Sequence, residues 1–394
     1  MIKRSLKILM LAPTPFFADR GCHVRIFEEA RAIAAKGHQV EIVTYHLGRD
    51  MPGVVTHRTP RIPWYGKLEA GPSWHKPYLD ILLFFKALAV VKQFKPDLIH
   101  AHLHEGAFVG IFLKKLLGVP LLFDCQGSLT GEIVDHGFVG KGSFTSALFG
   151  RLEGFINKSA DVIITSSSPA ADDLLQNWGV SSGKVTAVTD GVNTDEFSPA
   201  DGTAIRQELG IPADACVAAF LGVFNRYQGV DLLLDVVKIM KERGSRIHFL
   251  LMGFPDEKYR NLAASMGIEK SITFTGKIDY ARAPQYLAAA DVAVSPKLSL
   301  TEANGKLFNY MACNLPSLVF DTPVNREILG DTGFYAELGN PVDFADKLER
   351  LMADGELRKQ AGESSRKRAV EEHSWRSRAD RLSSIYWLLL AKRS

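Results

Sequence analysis

No run in the chain reaches the roughly 18 uncharged apolar residues that a membrane span requires, so a helical crossing of a bilayer is not expected. The apolar run Leu6–Ala12 follows a basic start, Lys3 and Arg4, as a secretory leader would. It contains Lys7, stops at Pro13 and precedes no small-residue cleavage site, which fits a buried first strand better than a leader. Cysteine is scarce: Cys22, Cys125, Cys216 and Cys313 lie far apart and form no metal-ligand pair. Scattered thiols suit a reducing compartment, so the expectation is a cytoplasmic protein, at most peripheral to the inner face of the cell membrane. An excess of one charge is also missing. The net charge is +3, so no global field recruits nucleic acid, and none is expected as a partner. There is neither a solenoid-period repeat nor a low-complexity tract.

What is present is ordinary globular material in quantity. The 394 residues, 46% of them hydrophobic, suffice for two cores at roughly 150–200 residues each. Lys7–Ala12 reads as a strand ending at a Pro-Thr-Pro turn. Apolar residues at three- and four-residue spacings from Val24 to Lys36 (Ile26, Phe27, Ala30, Ile33) predict an amphipathic helix, stopped by Gly37. Val40–Tyr45 is the next strand. The unit recurs as Asp97–His100, a Gly106–Leu117 helix and Pro120–Phe123, and again around Val162–Thr165. A second series starts near Cys216: strand Val217–Leu221, helix Val230–Arg243, then strands Ile247–Met252, Ile272–Phe274, Val292–Ser295 and Ser317–Phe320. Apolar strands alternating with helices predict parallel sheets covered on both faces. The polar, turn-rich segment Asn193–Gly202 reads as the linker. The expected fold class is α/β, two Rossmann-like doubly wound parallel-sheet domains, 1–195 and 196–374, facing a deep cleft. A terminal helix at about 375–394 is expected to return to the first domain.

Three places could carry chemistry. The loop Pro13–His23 opens the first helix, and Gly21 there lets a ligand approach free backbone N–H groups, although a plain strand-to-helix turn explains the loop equally well. It lacks the G-x-G-x-x-G pattern of nicotinamide binding. Next, Ile99–Gly106 carries His100, His102, His104 and Glu105. Alternation sets the histidines on one side while the strand lasts, where a neutral imidazole can bond a sugar hydroxyl. A metal cluster lacks a second ligand group elsewhere, and no metal site is predicted. Last, the strand from Asp291 runs into a polar loop with Lys297 and Glu302, and a helix starts near Gly305 with Lys306 in its first turn. A lysine at a helix start suits a diphosphate, although solvated lysines would read the same way.

In these pieces the chain resembles the retaining glycosyltransferase family 4, with its GT-B fold, over nearly its whole length. The resemblance rests on the Arg20-Gly21 loop, Ala35–Val40, Pro96–His102, Ala160–Ile163, Asp190–Asn193 with Phe197–Pro199, Phe274–Lys277 and Tyr310–Pro316, in order across two domains. It implies transfer of a sugar from a nucleotide-diphosphate donor, UDP or GDP type, to a glycan, lipid-linked or small-molecule acceptor, with retention of anomeric configuration and no cofactor besides that co-substrate. The roles it implies are His102 on the transferred sugar, with His104 as second choice, and Glu302 near the sugar. Gly21 would lie over the diphosphate or the acceptor. Gly253, Thr275, Gly276 and Lys277 would line the nucleotide pocket. The chain departs from the family at three points. Asn309 stands where a ribose-binding glutamate is usual. Val223 and Gln228 stand where a phosphate-binding arginine and lysine are usual, and Gln126-Gly127 replaces His-Gly. Each lost charged hydrogen bond is worth roughly 1.5–3 kcal/mol, so other cations are needed, and Lys306 with Lys297 or Arg226 is expected to supply them. Asp124 or Gln126 would touch the acceptor or simply cap the loop.

On the acceptor side, Arg61–Lys95 sets Trp64, Tyr65, Trp74 and Tyr78 beside Lys67 and Lys76, followed by an apolar helix Leu79–Phe94. That mixture suits a peripheral membrane contact and a lipid-linked acceptor, or else a core helix with aromatics packed beneath it. The alternatives to a transferase are a non-catalytic sugar- or lipid-binding relative and a nucleotide-sugar epimerase of the same fold.

Overall fold

The computed structural model describes residues 4–68, 73–135, 140 and 142–392; Met1–Lys3, part of the basic start, lies outside the described residues. Short strands, the inner ones apolar and buried on both faces, pair only in parallel, because each is followed by a segment long enough to cross back over the sheet. In the first unit these are β1 (Lys7–Ala12), β2 (Gln39–Thr44), β3 (Val55–Arg58), β4 (Leu98–His102), β5 (Leu121–Cys125), β6 (Val162–Thr165) and β7 (Val185–Ala187). Their order is β3-β2-β1-β4-β5-β6-β7. The second unit holds β8 (Val217–Leu221), β9 (His248–Met252), β10 (Ile272–Gly276), β11 (Val292–Ser295), β12 (Ser317–Phe320) and β13 (Gly333–Ala336), ordered β10-β9-β8-β11-β12-β13. Both sheets reverse direction of growth once, between β1 and β4 and between β8 and β11. At such a switch point the loops leaving the carboxyl ends diverge and open a crevice for ligands.

The units are Met1–Thr189 with Trp375–Ser394, and Asp190–Ser374. In the first, the helices are α1 (Gly21–Ala35), α2 (Lys76–Phe94), α3 (Leu103–Leu117), α4 (Leu129–Asp135) and α5 (Phe144–Ser159). One sheet face, including Leu9, Leu11, Ile99, Ala101 and Phe123, packs under α2, α3 and α5. The other is covered by α1 and the terminal helix Trp375–Ala391, which lie against each other. That contact is polar as well as apolar: Lys36 pairs with Asp380 at 2.6 Å, His38 meets Ser383 at 3.2 Å, and Tyr386 reaches His100 at 2.8 Å. In the second unit, the segment after Asp190 is pinned by Arg366, whose guanidinium donates to the carbonyls of Thr194, Phe197 and Ala312.

Three helix starts differ from the sequence reading for local reasons. α1 begins at Gly21, three residues earlier, and ends as expected, with Gly37 just past the C-cap at φ +87°. α2 begins at Lys76 because Pro77 is compatible with a first helical turn. α3 begins at Leu103, so β4 hands over to it without a loop, and Leu103 adopts φ +61° to make the corner. The edge strands β3, β7 and β13 were not legible as apolar runs, since each is half-exposed.

Candidate functional site

Alternation along β4 sends Ile99 and Ala101 to the α2/α3 face, and His100 and His102 to the face covered by α1. Both imidazoles are fully buried, with stacked rings 4.4 Å apart. His102 is the last residue of the strand, at the carboxyl edge beside the switch point, and is paired in register with Asp124 on β5. Its Nδ1 lies 2.9 Å from Asp124 Oδ2. From α1, Arg25 grips the same carboxylate with Nε and Nη2 at 2.9 Å, and Nη2 also meets Glu29 at 3.1 Å and the Val188 carbonyl at 3.1 Å. Gln126 donates to Asp124 Oδ2 at 2.7 Å. Burial alone would raise the Asp124 pKa, but Arg25 and His102 outweigh it and hold the carboxyl far below the usual range. Burial keeps both histidines neutral by lowering their pKa values.

Glu29, His100, His102 and Asp124 each offer a ligand atom within 4.8 Å of the others. Arg25 already sets its own cation against two of the four, Asp124 and Glu29, and both Asp124 oxygens accept from protein donors. The group is an internally neutralised relay, and its donors give no reason to invoke an ion. His104 is also buried but lies in α3, off the strand, with Nε2 3.6 Å from Glu153 of α5. Glu153 in turn receives the N–H groups of Leu129 and Thr130 at the start of α4. Gly21 is the first residue of α1, and a Cβ there would meet nothing within 4 Å; no steric need inside the chain explains this glycine.

In the second unit, the candidate residues gather around the β8/β11 switch point. Lys306, first residue of the helix Lys306–Ala312, donates to Gln228 Oε1 at 2.6 Å and lies 4.2 Å over the Phe220 ring. Burial, and then the charge of Lys297, push its pKa well below the ordinary lysine range. Lys306 is half-buried and Lys297 buried, the latter donating to the Ala303 carbonyl at 2.8 Å and pairing with Glu302 at 3.3 Å. Lys297, Glu302 and Lys306 therefore form one cluster. The loop that carries it is braced by Asn304, which bonds Ser295 and Asn325. Arg226 is exposed and lines a separate hollow with Asp231, Leu232, Lys258 and Leu298. Gly253 has a packing cause: a Cβ would fall 1.9 Å from the Gly222 carbonyl. Gly276 turns the chain at φ +70°, while Thr275 donates to the Gly276 carbonyl and Lys277 is exposed, 5.6 Å from the Phe254 ring. Asn309 is half-buried on the Lys306–Ala312 helix.

Residues 20–191 match the family described as "Glycosyl transferase 4-like domain", and residues 201–368 the family "Glycosyl transferases group 1". The chain is a family 4-type glycosyltransferase of GT-B fold. A D-inositol 3-phosphate glycosyltransferase of Corynebacterium aurimucosum is 28% identical over 401 residues, which span 93% of this chain and 90% of that protein. One from Geodermatophilus obscurus is 26% identical over 89% of this chain and 83% of its own. Among solved structures, sucrose-phosphate synthase from Thermosynechococcus elongatus superposes with a TM-score of 0.82 at 21% identity, covering 98% of this chain and 99% of that one. The Anabaena protein HepE in complex with UDP and glucose gives 0.77 at 16% identity, with 96% and 99% covered.

In this glycosyltransferase, sequence reasoning missed Arg25 and Glu29. Their i, i+4 spacing reads as an exposed helix pair, whereas both are buried. It named Gln228 only as a lost lysine, yet Gln228 is where the Lys306 ammonium docks. It left Asp124 between an acceptor contact and a loop cap and did not see that the carboxylate holds His102 and Arg25 together.

Proposed function

We propose that the enzyme moves a sugar from a nucleoside-diphosphate donor, UDP or GDP type, to a hydroxyl of a glycan, lipid-linked or small-molecule acceptor, retaining the anomeric configuration. The observation that carries this reading is the cluster at the β8/β11 switch point. Two lysines and a glutamate converge where the family's usual arginine and lysine are replaced by Val223 and Gln228. Lys306, delivered onto Gln228, supplies the cation for the leaving diphosphate. Lys297 both orients Glu302 toward the sugar and adds positive potential. Preorganised charge of this kind stabilises a departing phosphate without a dedicated base, and the phosphate itself accepts the acceptor's proton. Backbone groups around Gly253, Thr275, Gly276 and Lys277, with Asn309 on the ribose, complete the nucleotide contacts in this reading. Gly21 leaves the start of α1 open to the donor or acceptor. UDP and glucose in the HepE structure support a donor of this class. No divalent metal is needed, because protein cations hold the diphosphate. The test is transfer from a panel of UDP-, GDP- and ADP-sugars in EDTA, with product anomers read by NMR. Absence of transfer from every donor, or an inverted anomer, would sink the reading.

A lipid-linked acceptor at a membrane surface is favoured by one feature of the first unit. Helices α2, α3 and α5 pack in a row and expose Ile81, Phe85, Phe112, Leu116, Phe144 and Leu148, with Lys92, Lys115 and Arg151 also exposed on them. Trp64 and Trp74 are likewise exposed, whereas Tyr65 is buried. Apolar side chains beside basic ones are the composition of an interfacial contact. No helix among the described residues is long and apolar enough to cross a membrane. Vesicles with anionic lipid should co-sediment the enzyme, and Phe85→Ser with Phe144→Ser should cut the bound fraction at least several-fold. An unchanged fraction argues for a water-soluble acceptor.

A further inference from the structure

The buried relay at the end of β4 specifies more than its own stability. Two acceptor lone pairs do not face each other at 2.9 Å, so the hydrogen between His102 Nδ1 and the ionised Asp124 sits on Nδ1. In a neutral ring that leaves Nε2 as a bare acceptor. Nε2 is buried and has no hydrogen-bond partner among the described residues. Leaving a buried polar atom unmet is costly, and a hydroxyl donating to Nε2 recovers that cost. Asp124 has no freedom to invert the arrangement. Arg25 is donor-only and holds both carboxylate oxygens, Nη2 on Oδ1 at 2.9 Å and Nε on Oδ2 at 2.9 Å, while Gln126 adds a third donor on Oδ2. Arg25 is fixed in turn by Glu29 and by the Val188 carbonyl. The neighbouring ring of His100 is tied to the Tyr386 hydroxyl at 2.8 Å, which keeps the stacked pair in place.

We propose that Asp124, clamped by Arg25, is a positioning residue of the transfer reaction, fixing His102 as the Nδ1–H tautomer so that Nε2 accepts a hydrogen bond from a hydroxyl of the transferred sugar. The proposal rests on the glycosyltransferase reading above and names the groups that tune its histidine. Asp124→Asn is the informative change because it is isosteric. Arg25 claims the amide oxygen at the Oδ1 place, which its Nε and Nη2 already reach at 3.2 and 2.9 Å; the NH2 then takes the Oδ2 place, Gln126 flips to present its carbonyl oxygen, and the His102 ring proton is driven to Nε2. A hydrogen-bond acceptor becomes a donor facing a hydroxyl, with no atom lost.

The experiment is nitrogen NMR of the full chain labelled with ¹⁵N-histidine, with the His102 ring signals assigned by their loss in His102→Gln. The wild type should show a protonated Nδ1 and a bare Nε2, and Asp124→Asn the reverse. In the same variant kcat should fall on the order of 10²-fold or more, while the Kd for uridine or guanosine diphosphate stays within about twofold. A merely structural role would not move the tautomer. Should Asp124→Asn fail to fold, the wild-type spectrum decides alone, since a protonated Nε2 there overturns the proposal. Reversed tautomers with an unchanged kcat overturn it as well. A wild-type chain that transfers no sugar from any donor overturns the functional reading and the role of Nε2 with it, whereas transfer together with a protonated Nε2 removes this inference alone.

Discussion

Lys306 illustrates what a half-buried lysine gains and gives up. Its ammonium faces one amide oxygen and one aromatic ring, with the second cation Lys297 as an electrostatic neighbour. A lysine so placed has a folded pKa below its unfolded value near 10.5, so between the two the unfolded chain binds more protons. Stability therefore rises with pH through that window and levels off above the unfolded value. Lys306→Met should raise the urea midpoint at pH 7, and the gain should vanish near pH 10. The same variant should weaken binding of the nucleoside diphosphate by about 10–100-fold, the worth of one charged hydrogen bond. Tighter folding with looser binding, measured by urea titration and by calorimetry, is the signature of a residue kept for its ligand. Equal donor affinity in Lys306→Met would leave Lys297 or Arg226 as the phosphate cation. The lysine itself was legible in the sequence because it opens a helix after a strand. Its docking on Gln228 was not, since 78 residues separate the two.

Within elements, α2 carries a titratable group that acts against the fold. Asp80 accepts a hydrogen bond from the Tyr45 hydroxyl at 2.5 Å, beside the Lys76–Glu105 ion pair. Burial first, and then the charge of Glu105, raise its pKa to about 7. The folded chain thus holds a proton that the unfolded chain releases near pH 4, and stability falls as pH rises from about 4 to about 7. Asp80→Asn keeps the acceptor for Tyr45 and removes the charge. It should be more stable than the wild type by up to about 4 kcal/mol at pH 8, about 1.4 for each unit of the rise, with the difference shrinking as pH approaches 4, as read from urea unfolding at several pH values. The corner between β4 and α3 belongs to this scale too. Leu103 at φ +61° lets the strand turn straight into the helix, which leaves His102 at the very end of β4. Apolar periodicity identified both elements but not the missing loop, because His104 and Glu105 look like loop residues until α3 buries one of them.

For the whole molecule, the terminal helix matters most. Trp375–Ala391 buries Leu382, Tyr386 and Leu389 in the first unit, although the second unit separates it from that unit in the chain. A chain ending at Ser374 would uncover α1 and leave His100 Nδ1 without Tyr386. It should lower the melting temperature of the first unit and speed its proteolysis while sparing the second, which a two-transition calorimetric trace resolves. Tyr386→Phe alone should cost roughly 1–2 kcal/mol, the penalty of one buried group losing its partner.

The sequence by itself determined the two parallel sheets and the family, because apolar runs, helical spacing and short turn motifs are local signals written within a dozen residues. It also brought Lys297, Glu302 and Lys306 to notice, since they share one loop and helix start. Only the tertiary structure decided which partners those groups have. Arg25 meets Asp124 across 99 residues and Tyr386 meets His100 across 286. Contacts of that span are selected by packing and by the cost of leaving buried polar and charged groups without partners, and neither leaves a trace in local spacing.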